Sequence, residues 1–346
     1  MTNSLNQNPD HHLVWTLRAA LKKAVRSFFE QQKYLEVDTP VLVTSPGTEA
    51  HLDYFATKWQ DHSGQDYDLW LRSSPELHMK QVLAQGPERI FQFATSFRNR
   101  GELSPWHHPE FCMLEWYHAD ISYHDYIHQT QELIHWCFQR IKDEFPDLKL
   151  SDFPGDFQKL TVTQAFRQFA SVDLQDLDPD LAQKSKKAGV ISINGSEDFE
   201  TAFFKILLEK VEPALETMGA VVLCQYPPSQ AALSVVEGGE ACRFEFYWNG
   251  VELCNGFKEL VCPQANRKRI REANTIREQE GRNVPQEDHD FYLALESGIP
   301  ECCGNALGLD RLLALILGRK NIASVLPLRN TWPWKEYSEE SGALQV

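Results

Sequence analysis

Residues 243–254 read RFEFYWNGVELC, and this stretch decides the class of fold. Apolar and polar side chains alternate on both sides of Asn249-Gly250, the dipeptide that most strongly predicts a two-residue hairpin turn. Such a turn predicts the cross-strand pairs Trp248–Val251, Tyr247–Glu252 and Glu245–Cys254. Because alternate residues of a strand share a face, Glu245 and Glu252 are expected to converge on one face of this hairpin.

Two converging carboxylates repel each other unless a cation lies between them. Carboxylate oxygens are ligands that suit Mg²⁺, which proteins typically hold through one or two carboxylates together with substrate phosphates. A third carboxylate, Glu259, follows just beyond the second strand. Taken alone, the hairpin is equally compatible with a metal site and with a solvated strand face.

Helices and further strands surround the hairpin. The predicted helices cover 13–34, 75–84, 123–145, 264–279 and 289–297, and the predicted strands cover 68–72, 89–98 and 111–118. Residues 146–219 are interpreted as a helical insertion. Strands joined by hairpins and flanked by helices indicate an α+β fold with an antiparallel sheet. We expect a flexible N-terminus (1–12), one catalytic domain (13–330) and a C-terminal tail (331–346).

Two other stretches carry residues suited to phosphate and base recognition. Arg98 ends a predicted strand beside a polar loop, where a guanidinium can clamp a phosphate, and Phe111 on the returning strand can stack on a base. Gly304 and Gly308 leave room for a ligand to approach the backbone, and Arg311 lies where a helix begins. Each residue has an ordinary structural alternative, a surface ion pair or a core position.

Composition narrows the classes of protein. The 346 residues include 34 Lys and Arg against 49 Asp and Glu, a net charge of −15, which disfavours stable binding to nucleic acid or to an anionic membrane. No apolar run reaches the length of a membrane span, and the polar N-terminus predicts a cytoplasmic protein. The eight cysteines form no C-x-x-C pair, so a zinc ribbon is not indicated.

The order of these stretches resembles the catalytic core of class II aminoacyl-tRNA synthetases of the lysyl type. Residues 17–40 resemble motif 1, residues 97–117 motif 2 and residues 304–313 motif 3, while 74–80 and 252–260 resemble lysyl-type signatures. The anticodon-binding OB domain of lysyl-tRNA synthetases has no counterpart before motif 1. That feature, together with residues 228–232 and Ala306, resembles the family of ligases that attach (R)-β-lysine to a lysine of translation elongation factor P.

The resemblance implies a reaction, its cofactors and a set of site residues. ATP and Mg²⁺ would convert the amino acid to an aminoacyl-adenylate, and Arg98 and Arg311 would be the catalytic arginines. Glu245 and Glu252 would hold the metal. ATP would be bound by Arg98, Asn99, Arg100, His107, Phe111, Glu252, Leu253, Gly308 and Arg311. The amino acid would be bound by Ser74, Pro75, Glu76, Glu115, Tyr117 and Glu259.

By the same resemblance, Glu76 would take the amine nearer the substrate carboxylate, and Glu259 with Tyr117 would take the distal amine. Ala306, where tRNA-charging relatives usually have glycine, would reshape the floor of the pocket and favour the β-amino isomer. Motif 1 implies a homodimer, with elongation factor P as the acceptor.

One departure concerns motif 2, where the usual Arg-x-Glu is replaced by Arg98-Asn99-Arg100. Glu102 could replace the missing carboxylate, or Arg100 could contact the γ-phosphate or the acceptor instead. The alternatives are a truncated lysyl-tRNA synthetase that charges tRNA, a non-catalytic synthetase paralogue, and metal binding by His124 and His128, one helical turn apart.

Overall fold

The computed structural model describes residues 9–101, 104–153 and 155–326. The predicted C-terminal tail, most of the predicted flexible N-terminus and Glu102 lie outside these residues. None of the helices in the described part is long and apolar enough to cross a membrane.

Strands and helices follow the predicted order, with several additional elements. The strands are β1 (Leu35–Glu36), β2 (Leu42–Val43), β3 (Phe55–Gln60), β4 (Asp66–Leu71), β5 (Arg89–Phe97), β6 (Glu110–Ala119), β7 (Gln158–Thr161), β8 (Ala220–Tyr226), β9 (Val236–Glu237), β10 (Glu240–Trp248), β11 (Val251–Lys258) and β12 (Cys302–Gly308). The α-helices are α1 (Pro9–Gln31), α2 (Glu76–Leu83), α3 (Tyr123–Glu144), α4 (Val162–Ala165), α5 (Leu181–Lys187), α6 (Phe199–Ile206), α7 (Glu212–Met218), α8 (Pro263–Gln279), α9 (His289–Gly298) and α10 (Leu309–Ile316).

Most of these strands form one sheet. Its order within the described residues is β1-β5-β6-β12-β11-β10-β8-β7, with β9 beside β10, and a smaller sheet has the order β2-β4-β3. The central pairs from β5 to β8 are antiparallel, and only the outer pairs β1–β5 and β7–β8 are parallel. The predicted α+β fold with an antiparallel sheet flanked by helices is confirmed.

One face of the main sheet forms the principal core. Phe91, Leu114, Trp116 and Leu307 are at most 1% exposed and pack with α1, α3 and α10. Full burial of a large apolar side chain contributes roughly 1.5–3 kcal/mol, so this layer fixes the sheet against its helices. Since side chains alternate, the neighbouring positions of the same strands are presented on the opposite face.

The hairpin has its predicted turn but not all of its predicted pairing. Trp248–Val251 and Tyr247–Glu252 are paired as expected, but Phe246 then pairs with Cys254, and Glu245 with Asn255. The predicted pair Glu245–Cys254 is therefore wrong by one residue, because β11 contains a bulge at Leu253 that inserts one extra residue and turns Leu253 into the core. The bulge follows Glu252, so Glu245 and Glu252 still share a face.

The segment between α3 and β8 has its own apolar core. Its helices α4–α7, joined in places by π-helical turns, pack on β8 around Phe166, Phe203 and Val211. Helices are present in the predicted helical insertion (146–219), and the prediction did not include β7, which extends the main sheet beside β8. This segment therefore joins the edge of the catalytic sheet, next to the β10–β11 hairpin.

Candidate active site

The face of the sheet opposite the principal core collects most of the residues predicted to be functional. On β6, Phe111, Glu115 and Tyr117 occupy alternate positions. On β12, Ala306 lies directly opposite Glu115, and Gly304 lies opposite Tyr117. The strand register thus places residues from distant parts of the sequence in one surface. We call the part around Glu115, which was predicted to bind the amino acid, the amino-acid end, and the part around Phe111, which was predicted to bind ATP, the phosphate end.

The amino-acid end is built around buried carboxylates. Ser74 Oγ accepts a hydrogen bond from the backbone N–H of Glu76 (3.0 Å) and donates one to Glu115 Oε2 (3.1 Å). Tyr117 donates from its hydroxyl to Glu115 Oε1 (2.8 Å). Pro75 precedes the first residue of α2, so its fixed φ directs Glu76 from the helix start toward this surface.

Lys80 completes this end of the site, and sequence reasoning assigned it no role. Its ammonium lies 2.7 Å from Glu76 Oε1 and 2.6 Å from Glu259 Oε2, and its side chain is 2% exposed. Glu76 and Lys80 are four residues apart on one helix, the spacing at which opposite charges pair, and this was the signal available in the sequence. The contact with Glu259 could not be read from the sequence.

When they are ionised, the carboxylates at this end carry more negative charge than the neighbouring cations of the protein neutralise. Burial, followed by repulsion from Glu76, raises the pKa of Glu115 to about 8. Burial also raises the pKa of Glu259 to about 7, although Lys80 opposes this effect. Each carboxylate would be stabilised in its ionised form by an added cation, because buried charges need partners.

Gly304 explains how these groups fit together. A Cβ atom at this position would overlap both Glu259 Oε1 and the ring of Tyr117. The glycine is therefore required by the close approach of a carboxylate and an aromatic ring to the β12 backbone. The sequence predicted space for a ligand beside this glycine, whereas the structure fills the space with two of the protein's own side chains.

The phosphate end contains the predicted arginines. The guanidinium of Arg98 lies over the Phe111 ring, 5.3 Å from its centroid, and its buried Nε has no hydrogen-bond partner within the described residues. Arg311 donates to the backbone carbonyls of Glu252 (2.8 Å) and Trp106 (3.2 Å), and its Nη2 lies 3.0 Å from His107 Nε2. Gly308 is the residue that precedes α10, and the Arg311 side chain extends back over it.

Glu245 and Glu252, the two carboxylates predicted to hold a metal and called the metal pair below, share one face of the hairpin and have neighbours that sequence reasoning missed. Glu245 accepts from Tyr247 (2.8 Å), from Asn255 (3.1 Å) and from Arg243 (2.5 Å). These bonds use most of its acceptor sites, whereas Glu252 is half-buried and 3.8 Å from Arg311. Burial and the nearby Glu245 raise the pKa of Glu252, which is the effect that a divalent cation would offset.

These oxygen donors fit Mg²⁺, because that ion needs only one or two carboxylates when phosphates supply further ligands. Within the described residues, no group of three or more His, Cys, Asp or Glu side chains is arranged to hold a metal by itself. The alternative of a histidine metal site is therefore not supported. His124 and His128 lie instead near Lys159 (3.5 Å) and Glu132 (3.6 Å).

Glu212 is a further carboxylate that sequence reasoning missed. It is the first residue of α7 in the inserted segment, and no motif marks it. Burial, Glu252 and Glu245 raise its pKa to about 7, so the insertion contributes a carboxylate beside the metal pair. Arg243 was also missed, although its position two residues before Glu245 on β10 places it on the same face.

The motif 2 loop is described only in part. Asn99 forms a bridge to Asp53, and its side chain accepts from the backbone N–H of Arg100 (2.9 Å). Arg100 is exposed and has a positive φ of 49°. The proposed substitution of Glu102 for the missing carboxylate falls outside the described residues. Leu253, predicted to contact ATP, has its side chain buried in the principal core.

Comparison with known proteins shows which family and which proteins the chain is similar to. The profile of the family described as tRNA synthetases class II (D, K and N) matches residues 4–331. The chain is similar to the elongation factor P--(R)-beta-lysine ligase of Histophilus somni (strain 2336), with 35% identity over 315 residues, 89% of this chain and 92% of the relative. It is 35% identical over 314 residues to the enzyme of the same name from Vibrio atlanticus, covering 89% and 93% of the two chains.

Proposed function

The chain belongs to the class II tRNA synthetase family (D, K and N), and from this we propose that it is an ATP-dependent ligase that joins (R)-β-lysine to a lysine of translation elongation factor P. The names of the similar proteins support the amino acid and the acceptor. In the first step the amino acid carboxylate attacks the α-phosphorus of ATP, forming the aminoacyl-adenylate and releasing pyrophosphate. In the second, the acceptor ε-amine attacks the acyl carbon, an amide forms and AMP leaves.

The charge of the amino-acid end is the observation that carries this proposal. Glu76, Glu115 and Glu259 lie around one protein ammonium, that of Lys80, and the Arg72 guanidinium also interacts with Glu115. The pKa values of Glu115 and Glu259 are nevertheless raised to about 8 and about 7, so these are the two carboxylates that an added cation would stabilise. β-Lysine carries two ammonium groups and would neutralise both. An amino acid with one ammonium would leave a buried carboxylate unpaired, and breaking a buried ion pair costs about 3–5 kcal/mol.

The phosphate end supports adenylate chemistry. We assign Phe111 to stacking on adenine, with Arg98 placed to contact the α-phosphate, because its guanidinium already lies over that ring. Arg311 would contact the γ-phosphate, and His107, Asn99, Arg100, Leu253 and Gly308 would complete the ATP site. Fixed guanidinium groups stabilise charge that develops on phosphoryl oxygens in the transition state. Glu252, with Glu245, would hold Mg²⁺, which supplies Lewis-acid stabilisation of the phosphates.

Two further proposals concern the assembly and its location. Leu35, in the region that resembles motif 1, is 55% exposed, and Trp15 and Leu42, which flank that region, are 46% and 45% exposed. Burial of these side chains would favour a homodimer. We expect light scattering to give twice the chain mass, and a monomer would contradict this part. A cytoplasmic location also stays a prediction.

The proposed activity is tested first by amino-acid-dependent exchange of pyrophosphate into ATP. We expect (R)-β-lysine to support exchange better than (S)-β-lysine or α-lysine, and an analogue lacking the distal amine to be inactive. The test variant is Glu259→Gln, and its matched control is Glu110→Gln, because Glu110 is an exposed residue of the same sheet. Preference for α-lysine would favour the truncated lysyl-tRNA synthetase, and no exchange with any amino acid would favour a non-catalytic paralogue.

Transfer is tested separately with purified elongation factor P. We expect a mass increase of one β-lysyl group on one lysine of the acceptor, dependent on ATP. Exchange without transfer to the protein, accompanied by charging of tRNA, would overturn the assignment of the acceptor while leaving adenylation intact. The acidic net charge of −15 supports a protein acceptor over tRNA, whose phosphate backbone is negatively charged.

A further inference from the structure

Lys80 is a buried charged residue at the site to which the proposed reaction gives no task. It belongs to α2, its ammonium contacts Glu76 on the same helix, and it also contacts Glu259 after β11. The side chains of Lys80 and Glu259 are 2% and 1% exposed. Desolvating a charge is costly, so an ammonium is retained at such a place only where its partners compensate for the loss of water.

We propose that Lys80 is a positioning residue that determines substrate specificity: it fixes Glu76 and Glu259 across the amino-acid pocket and offsets part of the pocket's negative charge. This inference rests on the proposed function, because it concerns the same pocket. It adds a residue that never contacts the reacting atoms and that acts through the two carboxylates it joins.

The geometry supports the positioning role. Glu76 lies at the start of α2 and Glu259 just beyond β11, and both contact the same ammonium. Without that cation, the partly buried Glu76 and the buried Glu259 carboxylates would repel each other. Lys80 contacts one oxygen of each, Glu76 Oε1 and Glu259 Oε2, and leaves the second oxygen of each carboxylate for another donor. The other oxygen of Glu259, Oε1, faces the space that Gly304 leaves.

The charge count supports the specificity role. The titratable and charged groups around Lys80 come from several elements: Glu76 of α2, Glu115 and Tyr117 of β6, Glu259 after β11, Cys302 of β12, and Arg72 between β4 and α2, which faces Glu115. Burial opposes the charge of Lys80, but Glu259 and Glu76 raise its pKa above the ordinary value. Lys80 is therefore held in its charged form beside Glu76 and Glu259.

Removal of Lys80 should change the number of protons bound in the pocket, which a general loss of packing would not do. Lys80 lowers the pKa of Glu259, so without this ammonium, and in addition to the proton that Glu115 holds in the wild type, Glu259 also binds a proton in the free protein near pH 7. A diammonium substrate must then displace that proton. The affinity for the substrate therefore falls about tenfold for each pH unit below neutrality.

The test compares Lys80→Met with the wild type and with Lys258→Met, which removes a neighbouring lysine paired with Glu237 outside the pocket. Binding of (R)-β-lysine is measured by calorimetry in buffers of different ionisation enthalpy, which counts the protons released. We expect Lys80→Met to release about one proton more than the wild type at pH 7, with at least a tenfold weaker affinity. The KM for ATP should change less than threefold, and Lys258→Met should match the wild type.

Weaker binding without extra proton release, or an equal loss of affinity for ATP, would overturn the inference and leave Lys80 a structural residue. If Lys80→Met does not fold, Lys80→Gln keeps a hydrogen-bond donor without the charge and is held to the same expectation. Wild-type exchange activity reports on the proposed function independently. Absence of exchange in the wild type would refute that function, whereas unchanged proton release in the variants would refute only the role of Lys80.

Discussion

Replacing Glu115 with glutamine should stabilise the ligand-free protein while it damages binding of the amino acid. Burial and then Glu76 raise the pKa of Glu115 to about 8, against an ordinary value of 4.5. Because the folded protein holds this proton to a higher pH than the unfolded chain does, the contribution of this group to stability is full below about pH 4.5. It is lost as pH rises toward 8.

The magnitude follows from the two pKa values. One pH unit between them corresponds to about 1.4 kcal/mol, so the wild type should lose about 3 kcal/mol of stability through this group by pH 7 and about 5 kcal/mol above pH 8. Glutamine has nearly the same shape and does not ionise. It can keep hydrogen bonds to Ser74 and Tyr117 in place of the carboxyl group.

The assay is urea unfolding of the wild type, Glu115→Gln and the control Glu110→Gln, each without ligands, at pH 5, 6, 7 and 8. We expect the free energy of unfolding of Glu115→Gln to exceed that of the wild type by an amount that grows with pH, while Glu110→Gln follows the wild type. Saturating β-lysine should raise the stability of the wild type more than that of Glu115→Gln. A difference in the free energy of unfolding that did not depend on pH would refute the conclusion that Glu115 is a buried carboxyl group with a raised pKa.

Three further predictions concern other parts of the site. Gly304→Ala should raise the KM for the amino acid in pyrophosphate exchange at least tenfold, with little effect on the KM for ATP, because the added Cβ overlaps Glu259 and Tyr117. An equal rise in the two KM values would contradict this prediction. Arg311→Lys should raise the KM for ATP at least tenfold, because one ammonium cannot bridge the carbonyls of Trp106 and Glu252 as a guanidinium does; an unchanged KM would remove Arg311 from the ATP site. Glu252→Gln should lower the exchange rate at least a hundredfold and raise the Mg²⁺ concentration for half-maximal rate, and an unaltered Mg²⁺ titration would place the metal elsewhere.

Much of this protein follows from local sequence. Alternation around Asn249-Gly250 determined the hairpin and the shared face of Glu245 and Glu252, because both depend only on the period of a strand and the length of a turn. Helical periodicity placed α1 and α3, and Pro75 marked the start of α2. These features depend on interactions between residues a few positions apart.

Other features were decided by tertiary structure. The bulge at Leu253 changed the pairing beyond Glu252, because burial of one leucine in the core outweighed regular strand pairing. The contact between Lys80 and Glu259, and the approach of Glu212 to the metal pair, join segments that meet only when the sheet has formed. The sequence determined which chemical groups the site contains, but the charge each group carries depends on burial and on partners distant in the chain, which only the folded structure brings together.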